Sequence, residues 1–75
     1  MEVIVIGYTD FKQTKNGNIG CWLFYSYQDR NVNHGSACDR VWVDVNVGLP
    51  SDLKEDDIIL LSFNQRGQLI SCQRA

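Results

Sequence analysis

The side chains best suited to chemistry in this sequence are aromatic, and four of them fall within six positions: Trp22, Phe24, Tyr25 and Tyr27. Aromatic rings on a surface can stack on the flat faces of nucleic-acid bases, and each stack is worth roughly 1–3 kcal/mol. The aromatic content and a Gly near its start predict that residues 19–28 form a strand. In a strand, Trp22 and Phe24 point to one face, and Tyr25 and Tyr27 to the other. One face must therefore be core, and the other is a candidate stacking surface.

A second aromatic element, residues 38–47, shows the cleanest alternation in the chain. Its valines predict a core face: Val41, Val43, Val45 and Val47. The opposite face carries Arg40, Trp42, Asp44 and Asn46. A tryptophan beside an arginine on a polar face has two open interpretations, packing under a loop or at a dimer interface, and stacking on bases.

The two elements together give the candidate stacking set. Trp42 could lie across the strand pair from either aromatic set of residues 19–28. Tyrosine suits an exposed platform because its hydroxyl is compatible with water while its ring stacks. We therefore expect Tyr25, Tyr27 and Trp42 to contact bases. Trp22, Phe24 and Phe11 are lesser candidates, and of these Phe24 is favoured as a core residue.

Five basic residues are placed where they could meet phosphates. They flank turns, lie in a polar loop or share the face of Trp42: Lys12, Lys15, Arg30, Arg40 and Arg66. If these loops rim one groove, the cations would neutralise phosphate charge. The alternative for each of them is simple solvation.

Turn signals divide the chain into five strands. Asn16-Gly17 predicts a tight hairpin turn that pairs residues 2–9 with residues 19–28, and Gly7 is a natural site for a bulge. A polar loop covers 29–37, and 51–57 is either one helical turn beginning at Ser51 or an acidic loop. Strands at 58–63 and 69–74 flank a second turn. The prediction is a single all-β domain over 1–75, a five-stranded OB-like Greek-key barrel, with an SH3-like barrel as the alternative.

Composition narrows the function classes. The chain has 75 residues, a net charge of −2 and one His. No nucleophile–base motif or phosphate loop is present, so we expect no enzyme. The spacing of His34 and Cys38 with two distant cysteines fits no zinc pattern, so we expect no metal and no cofactor. Three cysteines without a framework indicate a reducing, cytoplasmic setting, and no run predicts a membrane span.

Three segments carry a resemblance to a known family. They are the basic turn and aromatic strand from Lys15-Asn16-Gly17 to Tyr27, the Leu49-Pro50…Leu53 connection, and the closing hairpin from Ile59 to Ile70. In these the chain resembles the small single-stranded-DNA-binding proteins of filamentous phages and related mobile elements. The resemblance implies an OB-type barrel, a homodimer, and sequence-tolerant coating of single strands during replication. That family often has an aromatic at the tip of the closing hairpin, where this chain has Arg66, which implies phosphate contact instead.

The function expected from the sequence is therefore binding of single-stranded DNA, or RNA, with little sequence preference. Because the net charge is negative, two alternative functions remain open. One is a protein-interaction module that uses the aromatic face. The other is a phage-type inhibitor or accessory protein that mimics an acidic ligand through residues 52–57.

Overall fold

The computed structural model describes residues 1–75, which form six antiparallel strands in one sheet and no helix. The strands are β1 (Glu2–Tyr8), β2 (Lys12–Gln13), β3 (Ile19–Tyr27), β4 (Ala37–Asp44), β5 (Ile58–Phe63) and β6 (Leu69–Arg74). The all-β prediction is confirmed, but the strand count is six. No helix long and apolar enough to cross a membrane is present.

The extra strand, β2, follows β1 after a break at residues 9–11 and lies beyond the end of the predicted first strand. Both β1 and β2 pair with β3, along the edge that β4 leaves free. At the interruption Thr9 donates its N–H to the carbonyl of Trp22, and the N–H of Trp22 donates to the Thr9 hydroxyl, each at 2.9 Å. The predicted hairpin turn is confirmed, with Gly17 at φ 83°. Gly67, at φ 78°, confirms the second turn in the same way.

The sheet is open. Its strand order is β2-β3-β1-β5-β6, and β4 occupies the other edge of β3. The two ends of the sheet, β4 and β6, touch one another, but no hydrogen-bonded ladder joins them. We call the side of the sheet that encloses the core the inner face, and the opposite side the outer face.

The core is small and mostly aliphatic. Its members are Val3, Val5, Cys21, Leu23, Tyr25, Val43, Leu53, Ile59, Leu61, Leu69 and Cys72. The predicted core face of residues 41–47 is confirmed for Val43, which is fully buried, and in part for Val41 and Val47, which are half-buried and pack against the core. It is wrong for Val45, which follows the last residue of β4 and is 48% exposed. Cys21 and Cys72 are also buried, and burial raises the pKa of both thiols.

A bulge in β1 changes the face of its last residues. The pairing with β3 shifts register between Val5 and Gly7, which confirms the bulge expected at this glycine. Simple alternation places Ile4, Ile6 and Tyr8 on one face, but after the bulge Tyr8 is paired with the inward-facing Leu23. The Tyr8 hydroxyl donates a hydrogen bond to the carbonyl of Leu53 at 2.6 Å.

The connection between β4 and β5 is a loop of turns rather than a helical turn. Asp52 and Asp56 have positive φ angles of 57° and 73°, which a helix does not allow. Leu53 is 4% exposed and enters the core. The loop is also held by backbone hydrogen bonds, from Val5 N–H to the Asp57 carbonyl at 2.9 Å and from Asp56 N–H to the Val5 carbonyl at 2.8 Å.

Asp57 ties this loop to the last strand. Its carboxylate accepts a hydrogen bond from the N–H of Lys54 at 2.9 Å and forms a salt bridge with Arg74 at 3.0 Å. The Lys54 N–H first, and then Arg74, hold the pKa of Asp57 below its ordinary value. Because this pKa is lower in the folded chain, the contribution of Asp57 to the free energy of unfolding is complete above about pH 4. It is lost as the pH falls through the lowered folded-state value.

We expect Asp57→Asn to remove this part of the pH dependence. Urea denaturation near neutral pH and again at about pH 3 should show a smaller loss of unfolding free energy for Asp57→Asn than for the wild type. Asp56→Asn is the matched control, because Asp56 is exposed, its carboxylate has no hydrogen-bond partner, and Asn tolerates a positive φ. An Asp57→Asn protein that loses as much stability as the wild type would contradict this prediction.

Candidate functional site

Two tryptophans form a pair on the outer face of the sheet. Trp22 of β3 lies directly opposite Trp42 of β4, which confirms the expected cross-strand aromatic partner of Trp42. The ring centroids are 5.2 Å apart and the planes meet at 74°, an edge-to-face arrangement. Both side chains are half-buried, so part of each indole faces solvent. The pair is a preformed surface of flat rings outside the core.

The absence of a side chain at Gly20 makes room for this arrangement. A Cβ placed on Gly20 would lie 2.7 Å from two atoms of the Trp42 ring, and it would also overlap the carbonyl oxygen of Val43. The Trp42 ring therefore lies against the bare backbone of β3. This packing fixes the ring at the protein surface.

Arg40 adds a cation to the aromatic pair. Its guanidinium carbon is 4.3 Å from the ring centroid of Trp22, a cation–π contact. Arg40 forms no salt bridge, since the only one in the chain joins Asp57 and Arg74. The stacked guanidinium therefore keeps its N–H edge available, and that edge matches the geometry of a phosphate. We call Trp22, Trp42 and Arg40 the stacking surface.

Two further predicted cations belong to the same region. Lys12 is paired with Gly20, in the strand row next to the two tryptophans, and Lys15 lies in the turn that follows β2. Both side chains are exposed. Two exposed cations therefore lie at this end of β3, where the row Lys12–Gly20 continues to Asp44 of β4.

A groove beside Trp42 leads towards the β5–β6 hairpin, which carries Arg66. Val41 and Trp42 form one wall and Gly67, Gln68 and Leu69 the other, around about 320 Å³ of open space. Arg66 lies on the same β5–β6 hairpin and is exposed. The groove thus connects the stacking surface to the positively charged tip of the closing hairpin.

Four of the nine acidic residues lie in the loop 51–57, which is fastened to β1 and to the end of β6. Two others belong to β4 itself. Asp39 is opposite Tyr25, and Asp44 is opposite Gly20, where its carboxylate accepts the N–H of Asn46 at 2.9 Å. The charge around Trp22 and Trp42 is therefore mixed.

The tyrosine predictions require correction. Tyr25 is 5% exposed and belongs to the core, opposite Val5, so its ring cannot stack on a base. Burial first, and then the charge of Asp39, raise the pKa of its hydroxyl. Tyr27 is half-buried and packs against the core, with its ring centroid 6.0 Å from that of Tyr25. The tyrosine face is thus the inner face.

Two other predicted positions also differ. Phe24, expected in the core, shares the outer face with Trp22 and is 38% exposed. Arg30 lies in the loop after β3, at the opposite end of that strand from Gly20. It is exposed there, but the structure does not bring it to the stacking surface.

Trp22 is only a lesser candidate in the sequence analysis, although the sequence does indicate which face of β3 it occupies. Gly20 and Trp22 lie on the same face of β3, and a strand face that lacks a side chain at one position can accommodate a large ring from the neighbouring strand. Cys21 and Leu23 on the other face are of the size that a small core accepts. Comparison with known proteins gives no further guide, because no family model, curated protein or solved structure matches the chain.

Proposed function

We propose that this protein binds single-stranded nucleic acid through the stacking surface, and that DNA is its preferred ligand. The observation that carries the proposal is the Arg40–Trp22–Trp42 cluster, in which a free guanidinium and two half-exposed indoles are held on a rigid strand pair. Bases of any identity can stack on such rings, and Arg40 with Lys12 can neutralise phosphates. Binding is therefore tolerant of sequence.

The strand order supports an OB-like barrel as the frame for this function. If β1 and β2 are counted as one interrupted strand, the five strands follow the order β4-β3-β1-β5-β6, with β4 and β6 in contact. A partly open five-stranded Greek-key barrel is the architecture of OB folds, which bind oligonucleotides on an exposed strand surface. With the resemblance described above, this frame favours a role in replication of a phage or mobile element.

Titration of the intrinsic tryptophan fluorescence with oligo-dT tests the proposal. Stacking of bases on Trp22 and Trp42 should quench the emission, and the apparent affinity should fall steeply between low and physiological salt. A parallel titration with oligo-rU compares RNA with DNA. Unchanged emission at both salt concentrations, with no binding in a filter assay, would refute the function.

We expect Trp42→Leu to weaken oligo-dT binding by a factor of roughly 5 to 150, the equivalent of one lost base stack. Trp22 remains as the fluorescent reporter. Tyr27→Leu is the matched control, because Tyr27 is also a half-buried aromatic but lies on the inner face. Equal affinities of Trp42→Leu and wild type would show that the bases lie elsewhere.

The alternative function is a protein-interaction module. Two observations favour it: the exposed apolar side chains of the outer face and the net charge of −2. Aromatic residues and Arg are also enriched at protein interfaces. The same titration separates the two functions, because a module of this kind leaves the tryptophan emission unchanged by oligo-dT.

A further inference from the structure

The main chain of Trp42 has a donor and an acceptor that the sheet does not use. Trp22, its cross-strand partner, turns its own N–H and C=O away from β4, into the two hydrogen bonds with Thr9. Three pairs along the same ladder, the Val45 N–H donates to the Ile19 carbonyl at 2.8 Å. Because hydrogen-bonded and non-hydrogen-bonded pairs alternate in an antiparallel ladder, Trp22 and Trp42 form a non-hydrogen-bonded pair. The N–H and C=O of Trp42 therefore both point to the free edge of β4.

This free edge is interrupted on both sides of Trp42. The main-chain groups of Arg40 and Asp44 point the same way, because every second residue of a strand does so. The Arg40 N–H already donates to the Asp39 carboxylate at 2.7 Å. The Asp44 carbonyl already accepts two N–H groups from the turn that follows β4, at 2.9 and 3.0 Å. An added peptide strand would lose a hydrogen bond on each side of Trp42, so the edge suits one small planar group better.

The groove beside Trp42 places a second donor opposite this pair. Gln68 lines the other wall, and its amide oxygen accepts a hydrogen bond from the Asn64 side chain at 3.1 Å. This contact orients the amide, and its NH2 group has no partner in the chain and is available to a ligand. The open space of about 320 Å³ lies at the lower end of the range for small-molecule sites. The groove thus offers two donors and one acceptor to a single small ring.

This set of groups matches one class of nucleic-acid base. The Watson–Crick edges of thymine, uracil and cytosine each carry two acceptors and one donor. Guanine carries one acceptor and two donors, and adenine carries one of each. In an unpaired strand these edges are open to hydrogen bonds from protein. A pyrimidine therefore satisfies both donors and the acceptor of the groove, and its single ring suits the size of the open space.

A polar depression continues the groove towards the tip of the β5–β6 hairpin. Asn64, Gln65, Arg66 and Gln68 surround it, and Gln68 belongs to both the groove and the depression. Arg66 is exposed and forms no salt bridge. Its guanidinium suits the phosphate next to a base that lies in the groove. The two spaces together therefore favour a nucleotide over a peptide side chain.

We infer that the groove between Trp42 and Gln68 is a pyrimidine subsite, which holds one base of a single strand by its Watson–Crick edge. The inference rests on the proposed function and adds a base preference to it. Neighbouring bases stack by their faces on Trp22 and Trp42, where any base is accepted. The preference therefore applies to one position of the bound strand, and paired bases of a duplex are excluded from the groove.

Fluorescence titrations of the full chain with two oligomers test the inference: oligo-dT, and the same oligomer methylated at N3 of every thymine. N3-methylation replaces the donor of the Watson–Crick edge by a methyl group but leaves the ring faces for stacking. The wild type should bind the methylated oligomer at least about 10-fold more weakly, because the hydrogen bonds of this edge are lost.

Gln68→Met should weaken binding of oligo-dT by about 2- to 10-fold, because it removes one donor from the groove and keeps the length of the side chain. Gln65→Met is the matched control, since Gln65 lies on the same hairpin but does not line the groove. It should retain wild-type affinity. Circular dichroism confirms that each variant is folded.

The outcomes distinguish failure of the inference from failure of the proposed function. If neither oligomer binds, both are wrong. If both oligomers bind with equal affinity, the inference alone is overturned, and an extended peptide becomes the better candidate for the groove. A folded Gln68→Met protein that binds oligo-dT as tightly as the wild type would also overturn it.

Discussion

Gly20→Ala is expected to lower the free energy of unfolding by about 1–3 kcal/mol and to displace the Trp42 ring. The added methyl group would lie 2.7 Å from the ring and would also overlap the backbone of Val43, which cannot simply rotate away. In a domain of this length such a loss lowers the Tm by at least about 4 °C. Urea denaturation measures the loss, and a red shift of the tryptophan emission reports the displaced ring.

Gly7→Ala is the matched control for this variant. Gly7 also lies in a strand paired with β3, but a Cβ there would find no atom within 4 Å, and its φ angle is outside the left-handed region. Its stability and emission should remain close to those of the wild type. If both variants lose the same stability, the cause is strand propensity and the close approach of Trp42 to Gly20 is irrelevant.

Tyr25→Ala is expected to be the more damaging substitution, with a cost of about 3–5 kcal/mol. The ring is 5% exposed and lies opposite Val5 in a core of eleven residues. The cost approaches the total stability of a chain this short, roughly 4–11 kcal/mol, so a large fraction of the molecules should be unfolded at 37 °C.

Tyr25→Phe tests whether the ring of Tyr25 matters for packing in the core or for contact with a ligand at the surface. It keeps the ring and removes only the hydroxyl, so both stability and oligo-dT affinity should stay near the wild-type values. Urea denaturation and the fluorescence titration provide the two readouts. A Tyr25→Ala protein that retained full stability but lost nucleic-acid affinity would mean that the ring contacts bases.

The local features of the fold could be predicted from sequence because they depend on short-range chemistry. Asn16-Gly17 specifies a turn that only residues tolerant of positive φ adopt, and Gly67 does the same in the closing hairpin. Strand alternation correctly separated Trp22 from Tyr25 onto opposite faces. The bulge at Gly7 was also foreseeable.

Which face of β3 is buried could not be predicted, because both faces carry aromatic rings and the choice depends on the neighbouring strands. The core side is set by Val3 and Val5 of β1 and by Val43 of β4, whose positions opposite β3 depend on register. The tyrosine hydroxyl favours an exposed position, but Tyr25 shares its face with Cys21 and Leu23, whose small side chains fit the core. The opposite face, with the two tryptophans, is therefore the outer one.

The unpaired edge of β4 has a consequence for solubility. An open edge next to apolar surface can recruit further strands and grow into extended, insoluble sheets. Of the eight residues of this edge strand, Asp39, Arg40 and Asp44 are charged, and they occur on both faces. An approaching copy in register would have to bury these charges or bring like charges together, which disfavours aggregation along this edge. Arg40 is thus one of the charges that disfavour the addition of a further strand at this edge.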